Sequence, residues 1–187
     1  MSKLVVISGP SGVGKGTVVK MLQKKYEEEE KKLYLSISCT TRSPRDGEVN
    51  GVDYYFISEE EFKNRIKEDD FFEYNQYGTG KYYGTPKSTI IDYLNKGYDV
   101  ILEIEVNGYK QIKEKYNDCI GIFIMPPSID DLYKRLINRN TESMEVIEKR
   151  IETAKSEMKE KDLYDYVLVN EDNQSEKTMK KIYEILN

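Results

Sequence analysis

Glycines and one lysine near the amino terminus form the clearest chemical pattern in the chain. Residues 9–17 have the sequence GPSGVGKGT, in which Lys15 stands at the Walker A spacing Gly-x-x-x-x-Gly-Lys. Because glycine admits backbone conformations in which successive N–H groups point inward, such a loop can surround phosphate oxygens. Lys15 adds a positive charge, and the start of a following helix adds unpaired N–H groups. The pattern predicts a site for nucleotide phosphates.

The residue after this lysine departs from the usual pattern, which has serine or threonine there as a magnesium ligand. Here Gly16 intervenes, and the hydroxyl comes one residue later, at Thr17, which is the candidate ligand for Mg²⁺ bound with the phosphates. A glycine-rich turn between a strand and a helix, with a lysine present by chance, is the alternative. The apolar run 4–7 before the loop and the helical spacing of 17–26 after it favour the phosphate site.

The composition excludes several kinds of chemistry. The chain has 187 residues, enough for one compact unit, and it has no histidine, which excludes imidazole bases and histidine metal ligands. Phosphoryl transfer remains open, because it depends on Lys, Arg and Mg²⁺ rather than on a strong base. A net charge of −5 argues against non-specific binding of nucleic acid. No apolar run has the length of a membrane span.

Cellular location is indicated by the chain start and by the cysteines. The first residues lack the apolar stretch of a secretory signal. Cys39 and Cys119 have no metal-ligand spacing, so we expect both to be small buried or half-buried residues in a reducing compartment. These features predict a cytoplasmic protein.

A second anion site is indicated by the stretch 38–56. Pro44 and Gly47 prevent a regular helix there, and Arg42 and Arg45 lie on either side of the proline. Two guanidinium groups at this spacing can bind one phosphate through several hydrogen bonds. Two ordinary surface arginines are the alternative interpretation.

Several segments, spread over nearly the whole chain, together resemble guanylate kinase. They are 9–15 (GPSGVGK), 38–56 (SCTTRSPRDGEVNGVDYYF), 102–105 (LEIE), 125–128 (MPPS) and 135–139 (RLINR). A chance match to all of them in order is much harder to obtain than a match to a lone phosphate loop. The resemblance implies phosphorylation of GMP to GDP by ATP with Mg²⁺, and it implies no nucleic-acid or membrane partner.

The resemblance also implies roles for individual residues. Glu73 would accept hydrogen bonds from guanine, and Ser38 and Thr85 would contact the rest of the base edge. The implied ATP-binding residues are Gly9, Pro10, Ser11, Gly12, Val13, Gly14, Lys15, Gly16, Thr17, Arg135, Arg139 and Asn170. The implied GMP-binding residues are Ser38, Arg42, Arg45, Tyr54, Glu73, Tyr83, Thr85, Glu103, Glu105 and Arg150. The implied catalytic residues are Lys15, Arg42, Arg139 and Arg150.

The residues by themselves leave alternatives for several of these roles. The tyrosines could pack within a strand-rich patch, and Glu73 could be a solvated carboxylate. Strand alternation over 99–105 would place Glu103 and Glu105 on one side, at the carboxyl end where α/β sheets bind ligands. These two carboxylates could hold a magnesium-bound water, orient the arginines or contact guanine. They could also be solvated carboxylates without a role in binding. The sequence does not divide these roles between the two carboxylates.

A pair of helices near the carboxyl-terminal end is typical of a mobile lid over ATP. Arg135 and Arg139 are four residues apart and share a helix face. After a polar turn, the helical pattern 147–161 carries Arg150. We expect Arg139 and Arg150 to stabilise charge on the transferring phosphoryl group. Surface arginines on a solvated helix are the alternative.

Alternating strand and helix patterns predict a three-layer α/β P-loop core with a parallel sheet. We expect the core to comprise 1–37, 86–125 and 162–187. A GMP-binding subdomain with a mixed sheet at 38–85 and a helical lid at 126–161 would interrupt it. Further expected elements are strands at 33–38, 99–105, 119–125 and 166–170 and helices at 85–96, 106–116, 147–161 and 174–186.

Two other functions compete with GMP phosphorylation. A guanylate-kinase-like interaction domain without activity would usually have a degraded phosphate loop, whereas the glycines and Lys15 are intact here. A kinase for AMP or dTMP would not need the combination of Glu73 with Ser38 and Thr85, which favours guanine. Comparing the three monophosphates as substrates discriminates between these functions.

Overall fold

The computed structural model describes residues 2–76, 80–138 and 143–187. In these ranges the strands are β1 (Leu4–Ser8), β2 (Leu33–Leu35), β3 (Cys39–Thr40), β4 (Tyr55–Phe56), β5 (Phe71–Gln76), β6 (Tyr82–Pro86), β7 (Asp99–Glu103), β8 (Ile120–Met125) and β9 (Tyr166–Val169). The helices are α1 (Lys15–Glu28), α2 (Glu59–Lys67), α3 (Lys87–Asn95), α4 (Val106–Lys115), α5 (Ile129–Asn138), α6 (Met144–Lys159) and α7 (Ser175–Leu186). A short 3₁₀ helix, Lys161–Leu163, follows α6.

The larger sheet has the strand order β2-β7-β1-β8-β9, and all its pairs are parallel. β1 lies in the centre, so the phosphate loop that follows it emerges between its neighbours β7 and β8. Alternate side chains of β1 enter opposite faces of the sheet: Val5 and Ile7 pack with α1 and α7, and Val6 packs with α4. The sheet is therefore covered on both faces, and the predicted three-layer core with a parallel sheet is confirmed.

A smaller mixed sheet has the order β4-β3-β6-β5. β3 and β4 are parallel, and the other two pairs are antiparallel. Cys39, Phe62 and Phe71 form its buried cluster with α2. The mixed sheet predicted for 38–85 is confirmed, and it extends one residue further, to Pro86.

The helices α5 and α6 pack against each other through a separate cluster. Leu132 and Leu136 of α5 contact Ile147, Ile151 and Ala154 of α6 in it. The two helices thus form a pair with its own apolar seam.

Most predicted elements are present, and four of them have bounds that are wrong by two or more residues. The helix predicted over 147–161 is α6, Met144–Lys159. Thr85 belongs to β6, and the helix predicted from 85 begins at Lys87. The strand predicted over 33–38 ends at Leu35, and the one predicted over 99–105 ends at Glu103. Both cysteines are buried, as expected. No helix within the described ranges is long and apolar enough to cross a membrane.

Candidate active site

The phosphate loop lies between β1 and α1, and its glycines adopt conformations that other residues rarely take. Gly9, Gly12 and Gly14 have φ values of 151°, 91° and 98°. A Cβ on Gly9 would stand 2.2 Å from the carbonyl oxygen of Ile124 in β8. The backbone thus requires glycine here, and the predicted order of strand, loop and helix is confirmed.

Lys15 begins α1 and turns back over this loop. Its Nζ donates hydrogen bonds to the carbonyl oxygens of Gly9 at 2.6 Å and Pro10 at 3.2 Å. Arg150 of α6 approaches the other side, where Nη1 donates to Oγ of Ser11 at 2.8 Å. Thr17 is exposed in the first turn of α1. Two cations that the sequence places 135 positions apart (150 − 15) therefore both contact the phosphate loop.

Asn170 and Arg135 hold the loop from the side of β9. Nδ2 of Asn170 donates to the carbonyl oxygen of Val13 at 2.8 Å, and Oδ1 accepts from the hydroxyl of Thr178 at 3.0 Å. Arg135 donates to Val13 at 3.1 Å and to the carbonyl oxygen of Asn170 at 2.8 Å, and it pairs with Asp172 at 2.7 Å. Asn170 and Arg135 therefore both stabilise the phosphate loop through its residue Val13.

The loop between β3 and β4 carries the predicted acceptor arginines. Nη1 and Nη2 of Arg42 each donate to one carboxylate oxygen of Glu48 at 2.6 Å. Oε2 of Glu48 also accepts from the backbone N–H of Arg45 at 2.8 Å. The hydrogen bonds to Arg42 and Arg45 lower the pKa of Glu48 to about 2, so this carboxylate stays ionised and fixes the loop.

Two tyrosines complete this pocket. The guanidinium of Arg42 lies 5.0 Å from the ring centroid of Tyr54, and the rings of Tyr54 and Tyr83 meet edge to face at 6.0 Å. A hydrogen bond also links Arg42 to the side chain of Tyr83. Arg45 is exposed at the mouth of the loop. The structure thus brings together Arg42, Tyr54 and Tyr83, three of the four residues predicted to bind the acceptor phosphate.

Glu73 lies in β5 and is 5% exposed. Its Oε1 accepts a 2.6 Å hydrogen bond from the hydroxyl of Thr85, its partner in β6. Burial raises the pKa of Glu73 to about 7, and the charge of Glu105 adds to this rise. Cys39 of β3 pairs with Gly84 of β6. Ser38, which precedes Cys39, is therefore close to Thr85, which follows Gly84. The three predicted guanine-contacting residues are therefore neighbours.

The strand argument for Glu103 and Glu105 is wrong for the second residue. β7 ends at Glu103, and Glu105 is the N-cap residue of α4. Their charges act on different groups: Glu103 raises the pKa of Tyr54, whose burial is the main cause of the shift. Glu105 raises the pKa of Glu73. The turn after β7 therefore places the two carboxylates on different elements, and their charges act on different groups, Tyr54 and Glu73.

Comparison with known proteins identifies the family. The family model described as guanylate kinase matches residues 1–187. The chain belongs to the guanylate kinase family. A guanylate kinase from Prochlorococcus marinus subsp. pastoris is 47% identical over 186 residues, which cover 100% of this chain and 97% of that protein. The crystal structure of guanylate kinase from Anaplasma phagocytophilum is 32% identical with a TM-score of 0.76, and the match covers 99% of this chain and 84% of that one.

Some residues of this guanylate kinase site were missed by reasoning from sequence. Glu48 lies in the segment 38–56, six residues after Arg42 and directly after the turn at Gly47. This spacing is a signal that could have revealed the pair. Asp172 gave no such signal, because its partner Arg135 is 37 positions away in the sequence. Arg139, one of the predicted catalytic residues, lies outside the described residues.

Proposed function

We infer that the chain transfers the γ-phosphoryl group of ATP to GMP and releases ADP and GDP. This function is supported by two regions suited to bind anions, the phosphate loop after β1 and the pocket around Arg42. The buried carboxyl group of Glu73 lies in the same small sheet as the second region. The whole-chain match to the guanylate kinase family agrees with it. The first region suits the donor phosphates, and the second suits the phosphate of the acceptor.

Donor binding would depend on the loop N–H groups and on Lys15. The left-handed glycines turn the loop backbone around an anion, and α1 directs the positive end of its dipole at the same place. On nucleotide binding, Nζ of Lys15 would exchange a carbonyl partner for a phosphate oxygen. The cation then stabilises charge on the β- and γ-phosphates as the bond to the γ-phosphoryl group breaks.

Acceptor recognition would divide between base and phosphate. Guanine presents an N1–H and an exocyclic amine on one edge, and the carboxylate of Glu73 can accept both hydrogen bonds. Adenine lacks this pair of donors. Arg42, Arg45, Tyr54 and Tyr83 would hold the phosphate, whose ionised oxygen is the nucleophile. No general base is needed, since this oxygen carries no proton to remove.

Magnesium would be held by few protein groups, because this ion keeps several waters and takes phosphate oxygens as ligands. No cluster of three or more metal-binding side chains occurs in the described part of the chain. The exposed hydroxyl of Thr17 and the exposed carboxylates of Glu103 and Glu105 suit such an ion. When bound, Mg²⁺ would neutralise charge on the phosphates.

The remaining parts of the proposal concern the lid and the subdomain. The pair α5 and α6 would act as a lid, with Arg150 placed to stabilise the transferring phosphoryl group and closure excluding water. Residues 38–85 would form the GMP-binding subdomain and 126–161 the lid, and Arg139 would assist Arg150. A cytoplasmic location remains a prediction from the sequence.

A coupled assay for ADP tests this function. It compares the initial rates for GMP, AMP and dTMP as acceptors, each with Mg-ATP as the donor. We expect kcat/KM for GMP to exceed the other values by about 10³-fold or more, because a site built for hydrogen bonds rejects a base that cannot make them. Equal use of AMP would contradict the base assignment. No turnover of any monophosphate would support the interaction domain.

A further inference from the structure

The helix α4 lies against β5, the outer strand of the smaller sheet, and turns one of its faces to Glu73. Gly108, Gln111 and Lys115 are spaced by three and four residues, so they share this face. A Cβ on Gly108 would stand 2.8 Å from Oε2 of Glu73. Nζ of Lys115 donates to the carbonyl oxygen of Phe72 at 3.4 Å. Gln111 lies between these two contacts, and the reaction described so far gives it no role.

The amide of Gln111 bonds to both backbone groups of Tyr74 in β5. Oε1 of Gln111 accepts from the N–H of Tyr74 at 3.2 Å, and Nε2 donates to its carbonyl oxygen at 3.0 Å. A backbone N–H can only donate and a carbonyl oxygen can only accept. The two bonds therefore fix which end of the amide carries the donor. The same Nε2 also donates to Oδ1 of Asn75 at 3.3 Å.

Asn75 connects this amide to the carboxyl group of Glu73. The two residues are two positions apart in β5, so their side chains leave the strand on the same side. Because Oδ1 of Asn75 accepts from Gln111, its Nδ2 is free to donate to Oε2 of Glu73, at 3.4 Å. The hydroxyl of Thr85 donates to Oε1. Each oxygen of this buried carboxyl group thus has its own donor, and the plane of the group is fixed.

The orientation of this carboxyl group decides how many hydrogen bonds guanine can form. The N1–H and the exocyclic amine lie side by side on one edge, and a carboxylate accepts both only when its two oxygens face that edge. We propose that Gln111 is a positioning residue for guanine recognition, which acts through Asn75 to hold the Glu73 carboxylate in the orientation that accepts both donors. The proposal deepens the proposed kinase function and rests on it. A link that only attaches α4 to β5 is the alternative, and it would change stability without changing base preference.

The variant Gln111→Ala removes the amide and keeps a good helix former. IMP is the probe, because its base has the N1–H of guanine and lacks the exocyclic amine. We expect the Kd for GMP to rise about tenfold and that for IMP by about twofold or less, because a turned carboxylate still accepts one hydrogen bond. The preference for GMP over IMP then falls about fivefold. Isothermal titration calorimetry measures both Kd values. In the kinase assay, the KM for GMP should rise and kcat should stay within about twofold.

Asn75→Ala interrupts the same path and leaves the bonds of Gln111 to Tyr74 in place, so it also tests the proposal if Gln111→Ala does not fold. It should lower the preference for GMP over IMP by a similar factor. Since the two residues act in series, adding Gln111→Ala to Asn75→Ala should change the preference by less than about twofold. Glu114→Ala, at an exposed position of α4, is the matched control and should keep the wild-type preference.

Several outcomes would overturn the proposal. An unchanged preference for GMP over IMP in Gln111→Ala, with a lower Tm, would describe a link that only stabilises the fold. Equal rises of the two Kd values would show a loss unrelated to the amine. Independent effects of the two substitutions in the double variant would contradict a path through Asn75. So would a wild type that binds GMP and IMP equally. A wild type that prefers GMP but transfers no phosphate would contradict the kinase function and leave the binding test valid.

Discussion

The hydroxyl of Thr85 donates a 2.6 Å hydrogen bond to Oε1 of Glu73, a side chain that is 5% exposed. On the other side, a Cβ on Gly108 of α4 would stand 2.8 Å from Oε2 of the same carboxyl group. The carboxyl group is therefore held between a hydroxyl and a helix backbone, with Asn75 donating to Oε2 at 3.4 Å. Small changes to this group should alter recognition of the base more than the fold.

Glu73→Gln should raise the KM for GMP about tenfold or more. The amide nitrogen of glutamine is a donor and would oppose a donor of guanine, so one acceptor is lost. Steady-state kinetics with GMP varied at saturating ATP measure the effect. The KM for ATP should stay the same. An unchanged preference for GMP over AMP would remove Glu73 from the recognition set.

The raised pKa of Glu73 also makes stability depend on pH. The pKa of Glu73 is about 7 in the folded protein, against about 4.3 for a free glutamate. Between pH values of about 4.3 and 7, the folded state therefore binds this proton more tightly than the unfolded state does. This group therefore favours folding less as pH rises through this window. Glu73→Gln does not titrate. We expect its stability relative to the wild type to improve by about 3 kcal/mol between pH values of about 4 and 8.

Urea unfolding at both pH values measures this difference. Glu60→Gln, on the exposed part of α2, is the control and should show a constant difference from the wild type. A pH-independent difference for Glu73→Gln would mean that the Glu73 carboxyl is not shifted.

Arg42→Lys should weaken GMP binding, because a lysine cannot form the two parallel hydrogen bonds that Arg42 gives to Glu48. The loop should lose its fixed geometry, and the KM for GMP should rise about tenfold to a hundredfold. Arg65→Lys, which alters an ion pair with Glu61 on the surface of α2, is the control. Equal effects of the two variants would argue against a phosphate pocket at Arg42.

Lys15→Ala should lower kcat about 10²- to 10³-fold, because the cation stabilises charge that develops on the phosphates. The fold should be retained, since the hydrogen bonds of Nζ at 2.6 and 3.2 Å go to the carbonyl oxygens of Gly9 and Pro10 in its own loop. Lys20→Ala on the exposed face of α1 should keep full activity. Turnover and circular dichroism of both variants test this, and a nearly active Lys15→Ala would refute the role.

Asn170→Ala should lower the free energy of unfolding by about 2 kcal/mol, because Oγ1 of Thr178 and the carbonyl of Val13 lose buried hydrogen bonds. ATP should also bind more weakly, since the loop loses a brace. Urea denaturation and ATP titration measure the two effects. Asn64→Ala on exposed α2 should change neither. Normal stability of Asn170→Ala would show that Arg135 alone holds the loop.

Local patterns predicted much of this protein. The phosphate loop was recognisable because its glycines and Lys15 lie at fixed spacings within nine consecutive residues, 9–17. The parallel sheet was predicted from the alternation of strand and helix patterns. The bounds that failed, at Leu35, Thr85, Glu103 and Met144, lie at the ends of elements, where the periodic pattern is too short to decide the last residue.

The sequence by itself determined the family, the parallel core and the residue types at both anion sites. Only the tertiary structure decided which partners these residues have. It paired Asn170 with Val13 across 157 positions, placed Glu105 at the start of α4, and brought Arg150 to Ser11 across 139 positions. The physical reason is that backbone preferences act between neighbours in sequence, whereas burial and charge act between side chains that only packing brings together.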